Sequence, residues 1–271
     1  MTPLGRGSLR TRAARLVAER TVLPLVAAIP VDTATLPVAR LAIDTAMRVV
    51  GPSLPGSVEA YRGVASRLST TTRSRVFVVE YRLAPEHPSP CAQLDVARAY
   101  RWLLRRGYAP DRIVVAGDSA GGFLAADLAF ANARLRIPGP AGLVLFSPMA
   151  DLGLRIAGGG GRNRDGVISH ALSAKAVAQF TGEHLELRPE LGMALPPTLI
   201  QTGGAEYFAA DAIELAARLR RADVACELQV WPDQMHVFQV MPALAPEARF
   251  AFGAAGRFIT SLLDTQAATA V

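Results

Sequence analysis

The sequence predicts an α/β protein in which a mainly parallel sheet is covered by helices on both faces. From about residue 57 onward, short apolar runs alternate with amphipathic helical patterns, and the runs are apolar on both faces. The predicted strands are 75–81, 112–116, 143–146, 198–202 and 227–231. The predicted helices around them are 57–71, 93–106, 119–134, 173–184, 211–222 and 247–263.

The composition fits one large globular core. The chain has 271 residues, 51% of them hydrophobic and only 19% charged, which excludes a mainly disordered protein. No apolar run reaches the roughly 18 residues of a spanning helix. Its two cysteines, Cys91 and Cys226, are too few for a disulfide framework, so we expect reduced thiols and a cytoplasmic protein.

The N-terminal region differs from the rest in charge and pattern. The net charge is +6, and residues 1–48 account for +4 of it, with seven arginines against three acidic residues. Residues 1–50 are predicted to form a separate helical segment, with helices near 9–20 and 36–49, and residues 51–271 the core. A solvated basic helix face is the simplest interpretation of this charge, and peripheral contact with an anionic membrane is the alternative. With 6% aromatic residues and no basic stripe, a nucleic-acid site is excluded.

A candidate nucleophile lies between a strand and a helix. Residues 117–121 read G-D-S-A-G, directly after the strand ending at Ala116 and directly before an apolar helical pattern. This context predicts a tight turn that exposes Ser119, with the Ala120 N–H as an oxyanion donor. Gly117 and Gly121 are expected to leave space where a side chain would clash.

A serine nucleophile needs a base and an acid, and both are expected at the ends of later strands. His236 follows 227–231 across a short loop, which places it at the same sheet edge as Ser119. Glu206 follows 198–202 and is the favoured acid, whereas Asp211 is a competitor whose simpler role is helix capping. The remaining histidines are expected to be structural or exposed: His87, His170 and His184.

Two motifs together resemble a known family. GDSAGG at 117–122 and YRLAPEHP at 81–88 are similar to the hormone-sensitive-lipase-like esterases, a bacterial branch of the α/β-hydrolase superfamily, over about 57–263. The resemblance implies an α/β-hydrolase fold, ester hydrolysis by Ser119, His236 and Glu206, and N-terminal helices that form part of a cap. Members more often carry Asp at the acid position.

The chain departs from this family upstream of the motifs. Members carry His-Gly-Gly-Gly in a loop that supplies oxyanion donors, but residues 49–52 read V-V-G-P at that place. Gly51 is the one glycine left there, and Pro52 has no N–H. The strands that precede this loop in the family are also missing, so we expect a shortened sheet in which 75–81 pairs directly with 112–116. Residues 76–79 would then lie near an exposed edge, which favours association, such as a homodimer.

These observations predict a carboxylesterase that works through an acyl-enzyme on a small-molecule acyl ester. The incomplete oxyanion hole predicts weak activity, because losing one donor costs about 10²–10³ in rate. The alternative is an impaired or truncated family member that binds apolar ligands. No cofactor and no metal are expected, since H-E-x-x-H, G-K-[ST] and dinucleotide fingerprints are missing from the sequence.

Overall fold

The structure, a computed structural model, describes residues 6–22, 58–159 and 165–269. The described part therefore includes most of the predicted core but only a portion of the predicted cap segment, 1–50. The predicted helix 36–49 and the candidate oxyanion residue Gly51 lie outside the described residues.

The described residues form a four-stranded parallel sheet in the order β1-β2-β3-β4. Its strands are β1 (Val114–Asp118), β2 (Gly142–Phe146), β3 (Thr198–Gly203) and β4 (Cys226–Trp231). Because all strands run in one direction, their carboxyl ends meet at one edge of the sheet, where the catalytic candidates are expected. The fold class predicted from the sequence is confirmed.

The α-helices are numbered here in chain order. They are α1 (Leu9–Val17), α2 (Val58–Thr72), α3 (Cys91–Arg105), α4 (Ala120–Arg134), α5 (Arg155–Gly159), α6 (His170–Phe180), α7 (Ala209–Arg221) and α8 (Ala248–Thr269). A π-helix, Ala18–Val22, continues α1. None of the described helices combines the length and the apolarity needed to cross a membrane.

The two central strands are buried on both faces, and their side chains alternate between two packed layers. Leu143 and Leu145 of β2 belong to the cluster that α4 and α7 build on one face. Val144 and Phe146 belong to a second cluster with residues of α2 and α8 on the other face. This two-sided burial explains why the predicted strands read as continuous apolar runs.

The predicted strand 75–81 is wrong. Those residues follow α2 as extended chain without strand pairing, and among the described residues no main-chain hydrogen bond joins them to β1. An apolar, β-branched sequence is therefore not sufficient to form a β-strand, because a β-strand also requires a neighbouring strand within hydrogen-bonding distance. β1 consequently lies at the edge of the described sheet.

Helix α1 docks through its polar side rather than its apolar side. Thr11 and Arg15 are buried, while Leu9, Leu16 and Val17 are 76%, 43% and 61% exposed. Arg10 of α1 is exposed as well, as are Arg6 before the helix and Arg20 in the π-helix after it. Polar anchors described below decide which side of the helix is buried.

Candidate active site

Ser119 forms the turn between β1 and α4 by itself. Its φ of 52° and ψ of −120° lie where side chains are rarely tolerated, so the backbone is strained at the candidate nucleophile. A Cβ at Gly117 would collide with the main chain of Gly121 and lie 2.9 Å from the Gly122 nitrogen. Glycine at position 117 therefore permits the close approach of strand and helix that the turn requires.

The second crowded glycine is Gly122 rather than Gly121. A Cβ at Gly121 would have Tyr81 Oη as its nearest neighbour at 3.9 Å, which is ordinary contact. A Cβ at Gly122 would lie 3.0 Å from the Cβ of Pro148. The expected clash at Gly121 is wrong, since this residue already lies inside α4 with its Cα hydrogens facing free space.

The structure brings the three sequence-predicted residues together. His236 Nε2 lies 2.9 Å from Ser119 Oγ, a hydrogen-bond distance. On the other side of the ring, His236 Nδ1 lies 3.7 Å from Glu206 Oε1. The side chains of His236 and Glu206 are 5% and 0% exposed, so this contact is shielded from water. The arrangement matches a nucleophile, a base and a group that orients the base.

Glu206 is fastened through its other oxygen. Glu206 Oε2 accepts hydrogen bonds from Ser147 Oγ and from the Gly203 N–H, both at 2.7 Å. Ser147 Oγ in turn accepts from the Val237 N–H at 3.1 Å, next to His236 in the chain. Ser147 thus links the acid to the loop that carries the base, and sequence reasoning missed it because a single serine after a strand gives no distinctive signal.

Asp211, the competing candidate for the acid, binds the main chain that follows β2. Its Oδ1 accepts from the N–H groups of Ala150 and Asp151 at 2.9 and 3.0 Å, so it holds the chain that follows β2. Burial raises the pKa of Asp211 to about 6. His170 and His184 are exposed, as expected from the sequence, and His87, which was expected to be structural, is exposed too.

Asp165 is a second buried carboxyl group beside the base. Its Oδ2 accepts from the Tyr207 N–H at 2.9 Å, and its Oδ1 lies 3.4 Å from the His236 nitrogen as a hydrogen-bond acceptor. Because Tyr207 follows Glu206, this carboxyl group fastens the main chain of both the acid and the base. Burial raises the pKa of Asp165 to about 6. The sequence analysis did not identify Asp165, because an aspartate followed by glycine in a polar loop is not a distinctive pattern.

Opposing effects act on His236. Burial by itself lowers the pKa of its imidazole, but the Glu206 carboxylate and the charges of Asp165 and Asp118 outweigh that effect and raise it. The net direction favours the protonated ring, which is the form that a base acquires after taking the serine proton. Asp118 itself is half-buried and accepts a hydrogen bond from Tyr61 Oη at 2.8 Å; desolvation raises its pKa.

One candidate oxyanion donor, the Ala120 N–H, lies within the described residues. Ala120 is the first residue of α4, so its N–H has no acceptor inside the helix. The helix N-terminus adds positive potential at the same place.

One group of described side chains has the geometry to hold a metal ion, namely Asp151, His184 and Glu186. Its carboxylates are already compensated by arginines. Glu186 pairs with Arg218 at 2.6 Å and with Arg188 at 2.7 Å. The group therefore serves as an ion-pair network away from Ser119.

A family model described as the alpha/beta hydrolase fold matches residues 51–240. The chain belongs to the α/β-hydrolase family. Among solved structures, a hormone-sensitive lipase from a metagenome library superposes with a TM-score of 0.70 at 32% identity, covering 78% of this chain and 75% of that one. An esterase from the bacterial hormone-sensitive lipase family superposes with a TM-score of 0.78 at 25% identity, covering 96% and 100%. The predicted resemblance to this branch is confirmed.

Curated relatives of this α/β-hydrolase carry names of ester-cleaving enzymes. Carboxylesterase/phospholipase LipF of Mycobacterium tuberculosis is 36% identical over 242 residues, which cover 80% of this chain. Esterase LipU of the same organism is 38% identical over 224 residues, covering 77% of this chain and 74% of LipU. This α/β-hydrolase spans 63% of the length of LipF, so the activity of the present chain has to be argued from its own residues.

Proposed function

We propose that the protein is a carboxylesterase that uses Ser119 as nucleophile, His236 as base and Glu206 as acid. The observation that supports this most directly is the 2.9 Å contact between His236 Nε2 and Ser119 Oγ at a strained strand-to-helix turn. The substrate class is a small-molecule acyl ester, in agreement with the names of the relatives.

The reaction follows from the positions of these atoms. Ser119 Oγ attacks the ester carbonyl while its proton passes to His236 Nε2, and the adjacent Glu206 carboxylate stabilises the charged ring. The Ala120 N–H donates to the oxygen that becomes negative. Collapse of this intermediate releases the alcohol, which takes the proton from His236, and leaves an acyl-enzyme. Water then attacks the acyl group while His236 accepts its proton. Collapse of this second intermediate breaks the bond to Ser119 Oγ, which takes the proton back from His236, and the carboxylic acid leaves.

The second oxyanion donor belongs to the same proposal. Gly51 is the candidate from the sequence and lies outside the described residues. If the Ala120 N–H acts alone, turnover is slower by about 10²–10³ than with two donors. A covalent probe is therefore a better first test than turnover, because it needs a single reaction with the serine.

The test is labelling by a fluorophosphonate, read by intact mass and by peptide mapping. We expect one label on Ser119, lost in Ser119→Ala and strongly reduced in His236→Ala. Ser261→Ala, which changes an exposed serine near the end of α8, serves as the matched control and keeps the label. Parallel assays with p-nitrophenyl butyrate measure turnover. Equal labelling of the wild type and Ser119→Ala would contradict the proposal and favour the binding-protein alternative.

Contact with an anionic membrane surface is the partner proposed for α1. Leu9, Leu16 and Val17 are exposed, and so are Arg6, Arg10 and Arg20 in and beside the helix. Exposed apolar residues together with arginines are typical of a helix lying in the interface of a bilayer. Co-sedimentation with vesicles rich in phosphatidylserine should exceed that with phosphatidylcholine vesicles and fall with salt. Leu16→Gln should weaken it, whereas Leu191→Gln, at a leucine 75% exposed elsewhere, should not.

The cytoplasmic location and the homodimer stay predictions. Both described cysteines are free thiols. Cell fractionation tests the location and sedimentation velocity tests the homodimer.

A further inference from the structure

A large cavity lies beside β1, on the side away from β2. Its volume is about 820 Å³, and it is enclosed by α2, the extended chain 74–81, α3 and β1. It exists because 75–81 and β1 face each other without pairing. Most of its lining side chains are apolar, including Val64, Leu68, Val79, Val96, Val115 and Leu128.

The rim of this cavity also exposes apolar rings. Phe77 is 53% exposed and stacks on Trp102, whose ring centre lies 5.5 Å away. Val76 beside it is 39% exposed. Binding of an apolar molecule here would remove this apolar surface from water, which stabilises the complex by about 25 cal/mol for each Å² buried. Cavities of this size and lining are typical of sites for apolar ligands.

The lining of the cavity also includes charged residues. Near the carboxyl end of β1 it is lined by Tyr81, Asp118 and Gly121, so the cavity extends to the residues that flank Ser119. Arg75 and Arg112 also line it, and Arg112 stands before the amino end of β1. The remaining charged lining residue, Glu80, is exposed. From Arg112 to Asp118 a strand covers roughly 20 Å, so the apolar space is elongated.

We propose that this cavity binds a linear fatty acyl chain. An elongated apolar space that reaches the serine turn and has arginines among its lining residues fits such a chain better than a compact ligand. The chain has two possible sources. One is the acyl group of an ester attacked by Ser119, and this case rests on the proposed function. The other is a free fatty acid with its carboxylate at Arg75 or Arg112, and this case is independent of the proposed function.

Trp102 makes binding measurable without catalysis. The protein has two tryptophans, and the other, Trp231, packs against Phe238 in a separate cluster. A dibrominated long-chain fatty acid bound in the cavity should quench the fluorescence of Trp102, and Trp231→Phe should retain this quenching while Trp102→Phe loses it. Quenching that persists in Trp102→Phe, or no quenching in the wild type, would overturn the proposal.

A second variant fills the cavity without touching the candidate catalytic residues. Ala99→Phe places a ring in the lining and should weaken fatty-acid binding about tenfold or more, which is about 1.4 kcal/mol. Ala171→Phe, at an exposed alanine of α6, is the matched control and should bind normally. Equal affinities of the two variants would contradict binding in this cavity.

The two sources give different results. If the substrate's acyl group occupies the cavity, Ala99→Phe reduces kcat/KM for p-nitrophenyl decanoate but not for p-nitrophenyl butyrate. If a free fatty acid does, Arg75→Gln or Arg112→Gln weakens quenching by the acid but not by its methyl ester. Quenching by a protein that the fluorophosphonate does not label would refute the proposed function and retain this inference.

Discussion

At the scale of single residues, the two oxygens of Glu206 have different tasks. Oε2 accepts from Ser147 Oγ and from the Gly203 N–H, while Oε1 faces His236 Nδ1 and has no hydrogen-bond donor within reach. An amide at position 206 has only one acceptor oxygen. Since Oε2 has two donors to satisfy, that oxygen would take the Oε2 position and turn the NH₂ group toward His236.

Glu206→Gln should therefore abolish most of the activity without unfolding the protein. The NH₂ group would force His236 Nδ1 to accept, leaving the proton on Nε2, where it cannot take another from Ser119. The expected loss in kcat is about 10⁴-fold, the size associated with a wrong imidazole tautomer. Asp211→Asn keeps an acceptor for Ala150 and Asp151 and should retain activity. Equal losses in both variants would refute Glu206 as the acid.

The pH dependence of kcat/KM should carry the signature of His236. The base must be neutral to accept the serine proton, so activity falls as the pH decreases through its pKa. The carboxylates of Glu206, Asp165 and Asp118 raise this pKa, so the acid limb should lie above the ordinary histidine value of 6.5. In Asp165→Asn one of these charges is lost, and the limb should move to lower pH. A limb that stays in place would show that Asp165 exerts no charge effect on the base.

At the scale of elements, α1 is held by a few polar anchors. Glu247 accepts from the Ser8 N–H at 2.6 Å and from Thr11 Oγ1 at 2.7 Å, and the Gly7 N–H donates to Asp233 at 2.9 Å. Asp233 lies in the same loop as His236. The helix therefore rests on the loop that carries the base, which connects the candidate membrane surface with the active site.

Removing one anchor should loosen α1. Glu247→Ala leaves the buried Thr11 hydroxyl without its acceptor, and a lost hydrogen bond to a charged group costs about 1.5–3 kcal/mol. Amide hydrogen exchange of 9–17 should accelerate while that of β2 and β3 stays slow. Glu183→Ala, at an exposed glutamate in the loop after α6, is the control and should change neither. Unchanged exchange in α1 would mean that other contacts suffice to hold it.

The elements also show what sequence patterns can and cannot predict. The strands 143–146 and 198–202 were predicted closely, because both are fully buried and mostly apolar. The strand 227–231 was also located, although it is only partly buried and Glu227 is exposed. Residues 75–81 have a similar apolar sequence but no paired strand in the described part of the chain. Strand pairing depends on the tertiary structure, so a local sequence pattern cannot predict it. Ser119, Glu206 and His236 could be placed together because parallel strands end at one edge. Asp165 and Ser147 could not, since their roles depend on main-chain donors from distant loops.

At the scale of the whole molecule, stability depends on the doubly covered strands β2 and β3. Leu145 is fully buried between β3 and the α4–α7 layer. Leu145→Ala should lower the free energy of unfolding by about 2–5 kcal/mol, as expected for a cavity in a close-packed core. Leu191→Ala, at a leucine that is 75% exposed, should change it by less than about 0.5 kcal/mol. Urea unfolding followed by circular dichroism measures both, and similar midpoints would contradict this account of the core.

The three candidate catalytic residues follow strands in different positions of the sheet. Ser119 follows β1 and His236 follows β4, the two edge strands of the sheet that the described residues form, whereas Glu206 follows β3 inside it. Edge strands are held on one side only, so each can open locally at a lower cost than global unfolding. Opening either edge separates the nucleophile from the base and leaves the interior intact. At low denaturant concentration, activity should therefore be lost before the core unfolds. The protein should pass through a state that is largely folded but inactive.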